Sequence, residues 1–209
     1  MTSPASAAEP VPPVARTREA QRIQTRARVF NAAVAEINRS GLANADVAAI
    51  ATAAGVARGT FYFHFPTREH VLVELERAEE VRIAAKLKPR ATESDDLMTV
   101  LTLLVRQVLA AERRLGRVVF REMLGLHFSP TRPVADELGK HPLAEFVIAA
   151  IGRAQAARRV SPDADPGELG MIFLTGLFAI LATGAAAPRE RAALLDRYVI
   201  TIVAGMEAR

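Results

Sequence analysis

An all-α fold of about nine helices is predicted by three features of this chain. Half of the 209 residues are apolar but only 5% are aromatic. Alanine and leucine, both strong helix formers, dominate the composition. The few glycines and prolines mostly sit between periodic runs rather than inside them.

Residues 1–15 are rich in Pro, Ala and Ser and are read as a disordered leader with no secretory signal core. Arg16, Arg18, Arg22, Arg26 and Arg28 follow against a single Glu19, a basic arm suited to phosphates or a minor groove. A first helix is expected over about 25–39, with Val29, Phe30, Ala33, Val34 and Ile37 as its apolar face. Gly41 ends it. Asp46 can cap the next helix, where Val47, Ile50, Ala51 and Ala54 share one face. Gly55 breaks that helix. A second short helix runs from Ala57 to about Phe63, and Pro66 bars its continuation. Two short helices around a glycine turn make a helix-turn-helix, whose second helix can lie in a DNA major groove. Phe61, Phe63 and Phe65 are read as core.

Thr67 is a plausible cap for a helix over about 68–87 that Pro89 stops. Val71, Leu72, Leu75 and Ala78 are expected inward, and Glu74, Glu76, Glu79 and Arg82 toward water. Further helices are expected over about 95–114 (stripe Leu97, Leu101, Leu104, Val105, Val108), 116–127, 142–159, 167–183 and 189–207. Pro130, Pro133 and Pro142 interrupt the chain between the second and third of these, and Ser161–Pro166 is turn-rich. No internal repeat appears.

Charge is unevenly placed. Residues 16–90 hold 13 basic against 8 acidic residues, a net of +5, whereas 91–209 hold 14 of each. The positive balance travels with the helix-turn-helix, as phosphate contact requires. With no cysteine there is no disulfide or thiolate metal site, which fits a reducing cytosol. His64, His70, His127 and His141 are scattered over different segments. No metal-spaced cluster, Ser/His/Asp grouping or phosphate-cradling glycine loop is found, so neither catalysis nor a cofactor or metal is expected. Residues 169–187 form a 19-residue uncharged run. It is read as a buried helix at a subunit interface. The alternative is a membrane span, which would make the chain a membrane-associated receptor.

Residues 25–75 then resemble the DNA-binding head of the TetR family of bacterial transcriptional regulators. The resemblance is carried by Thr25-Arg26, Val29-Phe30 and Ala32-Ala33, then by Gly41-Leu42, Val47, Ile50-Ala51, Ala54-Gly55-Val56, the run Gly59-Thr60-Phe61-Tyr62-Phe63-His64-Phe65, and Arg68-Glu69. It implies a three-helix head in residues 16–66, a connecting helix over 67–89 and a helical ligand-binding and dimerisation bundle over 90–209. Ala57, Arg58, Gly59 and Thr60 would open the recognition helix, with Arg58 reading a base edge. The small Gly59 would allow close approach. Thr60, Tyr62, His64 and Arg68 would hold phosphates, joined by Arg22 and Arg26 on the arm. Asp46-Val47-Ala48 departs from the family's polar opening of the second helix, so few contacts are expected there.

The resemblance further implies a homodimer through the last two helices, with Leu174, Leu177, Phe178, Leu181, Leu195, Tyr198 and Ile202 at the interface. Gly176 and Gly184 would permit close helix approach. A ligand pocket would be lined by Leu101, Leu104, Phe120, Met123, Leu124, His127, Phe128, Phe146, Val147 and Phe173. Arg106, Arg121 and Thr175 are candidate polar contacts. The implied function is a cytoplasmic homodimeric repressor, released from a palindromic double-stranded operator by a small apolar or amphipathic ligand. No membrane partner is expected.

Overall fold

A computed structural model describes residues 13–93, 96–133, 141–183 and 188–207. The described residues form nine α-helices: α1 (Pro13–Ser40), α2 (Val47–Ala54), α3 (Arg58–His64), α4 (Arg68–Glu93), α5 (Leu97–Leu115), α6 (Arg117–Gly125), α7 (Pro142–Ala156), α8 (Pro166–Thr183) and α9 (Pro188–Met206). A 3-10 turn, Leu126–Phe128, extends α6. One isolated antiparallel bridge, Val160 to Glu207, ties the end of α9 to the turn after α7. The all-α expectation holds.

Helix α1 is longer than the periodicity implied. Residues 1–12 of the expected leader lie outside the described residues, but 13–15 already belong to α1. Pro13 can open a helix because its missing N–H is in the unbonded first turn, and no breaker intervenes before Ser40. The basic arm is therefore the first half of a helix. Gly41, in a left-handed conformation at φ 77°, ends it.

The head closes on Val29, Ala33 and Ile37 of α1, Ile50 and Ala54 of α2, Phe61 of α3 and the following Phe65, all buried. The Asp46 carboxylate accepts from the Ala48 N–H at 2.8 Å and caps α2. Gly55 at φ 66° closes it, its N–H donating to Thr52 O at 3.1 Å. Phe63 corrects the reading of the three phenylalanines: it is 72% exposed. Phe61 and Phe65 are four apart and share a face, whereas a two-residue step turns about 200° around a helix.

Helix α4 also departs from expectation. It passes through Pro89 and ends at Glu93. Its water face is not where the charges suggested: Glu76, Glu79 and Glu80 are buried, while Ala78 is exposed. Below the head, α4 is enclosed by α5, α6 and α7, so positions a turn apart from Ile83 and Leu87 turn inward whatever their polarity.

The proposed dimer residues need the same correction. Leu174, Leu177, Phe178, Leu181 and Leu195 are buried within a single chain. Helix α8 packs against α6, α7 and α9, and these side chains fill those contacts. Tyr198 donates its hydroxyl to the Phe173 carbonyl at 2.6 Å, and burial pushes its phenol up to about 12. Its ring lies against Gly176, where a Cβ would collide with it. Gly176 thus serves packing inside one chain, and Gly184 lies outside the described residues. Ile202 is half-buried. The outward apolar residues are Met171 and Ile172 on α8 and Leu194 and Ile200 on α9. By length and composition alone α8 is apolar enough to cross a membrane.

Gly116 joins α5 to α6 at φ 90° and ψ 149°, a region almost closed to other residues. A Cβ there would meet the Asn38 side chain of α1 at 2.7 Å. Gly116→Ala is expected to lower the unfolding free energy by roughly 1–3 kcal/mol, as read by chemical denaturation. Unchanged stability would show that this junction relaxes freely.

Candidate functional site

The helix-turn-helix presents one outward face. Arg58 and Gly59 are exposed at the start of α3, Tyr62 is 45% exposed one turn later, and Phe63 stands beside it. Thr60 and His64 are half-buried at its edges. Ala57 is the N-cap and makes no side-chain capping bond. A Cβ added at Gly59 would meet nothing within 4 Å, so packing does not require this glycine. Burial, followed by the charges of Arg26 and Arg22, holds the His64 imidazole below its ordinary value. These surroundings favour the neutral ring over the charged one.

Two expected phosphate contacts have other work. Arg26 forms a two-pronged ion pair with Glu74 of α4 and lies over the Phe65 ring, 4.7 Å from its centroid. It clamps α1 to α4. Arg68 donates from Nη1 to the carbonyls of Ala43 and Ala45 at 3.1 and 2.8 Å, bracing the loop before α2. Arg22 is exposed and pairs with Glu19 at 2.7 Å on the same helix. Arg18 and Arg28 are exposed with no carboxylate partner among the described residues.

In the body, a cavity of about 590 Å³ opens between α4, the end of α6, α7 and α8. Ala144, Ile148, Met171, Leu174, Phe128 and Phe178 supply apolar walls, and Glu80, His127, Arg132, His141 and Thr175 supply polar ones. Of the residues expected to line a pocket, His127 and Phe128 do so, as does the polar candidate Thr175. Phe120, Met123 and Leu124 border a separate void of about 20 Å³. Leu101 and Leu104 are buried on α5, which packs against α4, α7 and α9. Val147 is core, Phe146 is buried, and Phe173 stacks on Tyr198 at 5.7 Å toward α9. These residues form the body's packing because their helices meet one another directly, leaving no room for a guest. Arg121 donates to Ala182 O at 3.1 Å and braces the end of α8, while Arg106 is exposed.

The cavity wall holds a feature that spacing along the chain concealed. Glu76 pairs with His127, and with Arg132 at 3.0 Å. Glu80 Oε1 meets His141 Nδ1 at 3.1 Å. Burial pushes the Glu76 carboxyl up, but the hydrogen bond and charge of His127, with Arg132, outweigh it and hold the group below its ordinary value. Two of the four scattered histidines, His127 and His141, converge on α4 from two later segments. Glu76 and Glu80, one helical turn apart, are the only local signal; of the two, Glu76 is expected toward water by the sequence and is instead buried.

Residues 29–75 match the family model for bacterial regulatory proteins, tetR family. Residues 29–75 are thus a TetR-type DNA-binding head. The matched TetR segment runs from mid-α1 into α4 and contains the exposed α3 face. A search of the curated proteins finds no match. Among solved structures, Thermus thermophilus FadR, a TetR-family transcriptional repressor in complex with lauroyl-CoA, is 21% identical with a TM-score of 0.72, covering 88% of this chain and 96% of that one. FadR from Bacillus subtilis in complex with stearoyl-CoA is 18% identical with a TM-score of 0.63, covering 86% and 98%. RolR in complex with resorcinol is 18% identical with a TM-score of 0.63, covering 90% of each chain. These likenesses establish a TetR-type fold through head and body, and the family-model match over the head supports a DNA-binding transcriptional regulator.

Two outcomes test the TetR head. Arg26→Ala should destabilise the protein toward denaturant, because it strands Glu74 and uncovers Phe65. Arg22→Ala, at an exposed pair, should change stability by less than about 0.5 kcal/mol. Equal effects would show that Arg26 is no clamp. Glu36 accepts from Arg39 at 2.7 Å and from the Asp46 N–H at 3.3 Å, joining α1 to the start of α2. The Arg39 hydrogen bond first, and that N–H second, hold its carboxyl below the ordinary 4.5. Its stabilisation is therefore complete above the ordinary value and lost as pH falls through the lowered one. Glu36→Gln should flatten the acid limb of a stability–pH curve; an unchanged limb would rule out this contribution.

Proposed function

We propose that this regulator is a cytoplasmic homodimeric repressor that leaves its operator when a small amphipathic molecule fills the body cavity. In this reading residues 16–66 are the DNA-binding head, 67–89 the connecting helix and 90–209 the ligand and dimer body. The observation that carries it is the position of α6. Its far end and the following turn wall the cavity through His127 and Phe128. Its near end abuts α1, where the Val119 N–H faces Asn38 Oδ1 at 3.4 Å and the Leu42 N–H donates to Glu122 Oε1 at 3.3 Å. One short helix thus touches both ligand space and head, so a shift of α6 on filling would re-aim α3. Ligand and DNA affinities would then be reciprocally linked.

Arg58, at the exposed start of α3, is the proposed base reader, since a guanidinium bonds a guanine edge bidentately. Gly59 allows approach, Thr60, Tyr62 and His64 face the flanking phosphates, and Arg22 contributes long-range attraction. Phe63 joins this set, its exposed ring suited to a thymine methyl. Arg26 and Arg68 act by holding the head in shape. A second copy covering Ile172, Leu194 and Ile200, with Tyr198 and Ile202 at the margin, would set two α3 helices about one DNA turn apart, roughly 34–36 Å, and so require a palindromic operator. The acyl-CoA and resorcinol complexes of the similar structures support a body that accepts apolar or amphipathic guests.

Selection from a random DNA pool should recover a palindrome. Arg58→Ala should cost about 1–3 kcal/mol on that site and relax one base preference. Uniform weakening on all sequences would make Arg58 a phosphate contact. Thr175→Trp, which fills the cavity from an exposed position, should fold and bind the operator yet no longer respond to a ligand found by screening. A response equal to the unsubstituted protein's would place the ligand elsewhere.

A further inference from the structure

We propose that Glu76, Glu80 and His141 bind one divalent transition-metal ion, of the zinc, cobalt or nickel class, in the wall of the body cavity. Glu76 and Glu80 lie one turn apart on α4 and turn the same way. His141 is the N-cap residue of α7, and its Nδ1 lies 3.1 Å from Glu80 Oε1. One ligand atom from each of the three lies within 4.8 Å of the others. That spacing is close to what three donors around one ion need, since such ions make bonds of roughly 2.0–2.2 Å with imidazole nitrogen and carboxylate oxygen.

An independent observation asks for a cation here. Glu80 is only 5% exposed and Glu76 only 3%. Buried Oε2 of Glu80 has no hydrogen-bond partner, and neither carboxylate oxygen of Glu76 has a well-directed one. Arg132 neutralises Glu76. Among the described residues Glu80 has no partner except the His141 imidazole, and a buried carboxylate without a full positive charge beside it is costly. An imidazole nitrogen with two carboxylates is a donor set suited to zinc-class ions rather than to magnesium or calcium, which favour oxygen alone. Three protein ligands also leave a coordination position open. It faces the cavity, since Glu80 and His141 both line that space. With Arg132 and a divalent ion present, the two carboxylates leave one net positive charge. The cavity's guest would therefore carry an anionic oxygen donor as its head. This last step rests on the cavity being the ligand site; uptake of the metal does not.

The test uses the full-length protein, stripped with a chelator and titrated with Zn²⁺ by calorimetry and with Co²⁺ by visible absorption. One ion per chain and a Co²⁺ ligand-field band are expected. Glu80→Gln, which keeps the side chain's shape, and His141→Ala should each weaken Zn²⁺ binding at least 100-fold. His70→Ala, in the first turn of α4 beside Thr67, should leave it unchanged. No stoichiometric uptake, equal uptake in Glu80→Gln and His141→Ala, or loss in His70→Ala would overturn the proposal. Operator binding is measured separately. Failure to bind DNA with intact metal uptake would sink the repressor reading alone, whereas ligand-responsive DNA binding without uptake would sink the metal site alone.

Discussion

The body of this protein is organised by carboxylates that its helices carry out of water. A buried carboxylate is tolerated only beside a positive or hydrogen-bonding partner. Here the partners come from other helices. Glu79 of α4 pairs with Arg114 of α5. Glu112 of α5 accepts from both Nη atoms of Arg191 of α9, at 2.8 and 2.6 Å. Glu76 and Glu80 reach the segments after α6 and before α7. Apolar contacts alone would tolerate a slip of one helix along another. A slip of one turn, about 5.4 Å, would strand a charge, so the ion pairs fix the register that packing leaves loose.

The same logic joins head to body. Arg26 to Glu74 and Arg68 to the Ala43 and Ala45 carbonyls hold α1 and the loop before α2 onto α4. Asn38 and Glu122 do so between α1 and α6. The head is therefore held along α4 and across α6, through charged or polar contacts whose geometry is directional. Both struts also wall the cavity, α4 through Glu80 and α6 through its terminal turn.

What the sequence revealed follows from range. The head was legible because its signals are local: the Asp46 cap, the Gly55 turn and the Ile50 face are each set within a few residues, and the structure keeps them. Phe63 leaves the core because a two-residue step along a helix turns it to the face opposite Phe61 and Phe65. The body was less legible because its decisive contacts are distant. Nothing near Glu80 announces His141, 61 residues on, and a glutamate on an otherwise periodic helix looks solvated until three neighbours close over it. Leu174 and Leu177 were assigned to a subunit contact because periodicity marks an apolar face without naming what covers it. Pro89 did not end α4, which continues one further turn.

The division of labour within α3 has an evolutionary consequence. Phe61 and the capping Phe65 anchor the helix in the head core. Arg58, Gly59, Tyr62 and Phe63 project outward, and Gly59 touches nothing that a larger residue would displace. Substitutions at these outward positions leave the core untouched. If this face reads DNA as proposed, lineages carrying this head can drift toward new binding sequences through viable intermediates, because the residues open to innovation are not the ones that keep the domain folded.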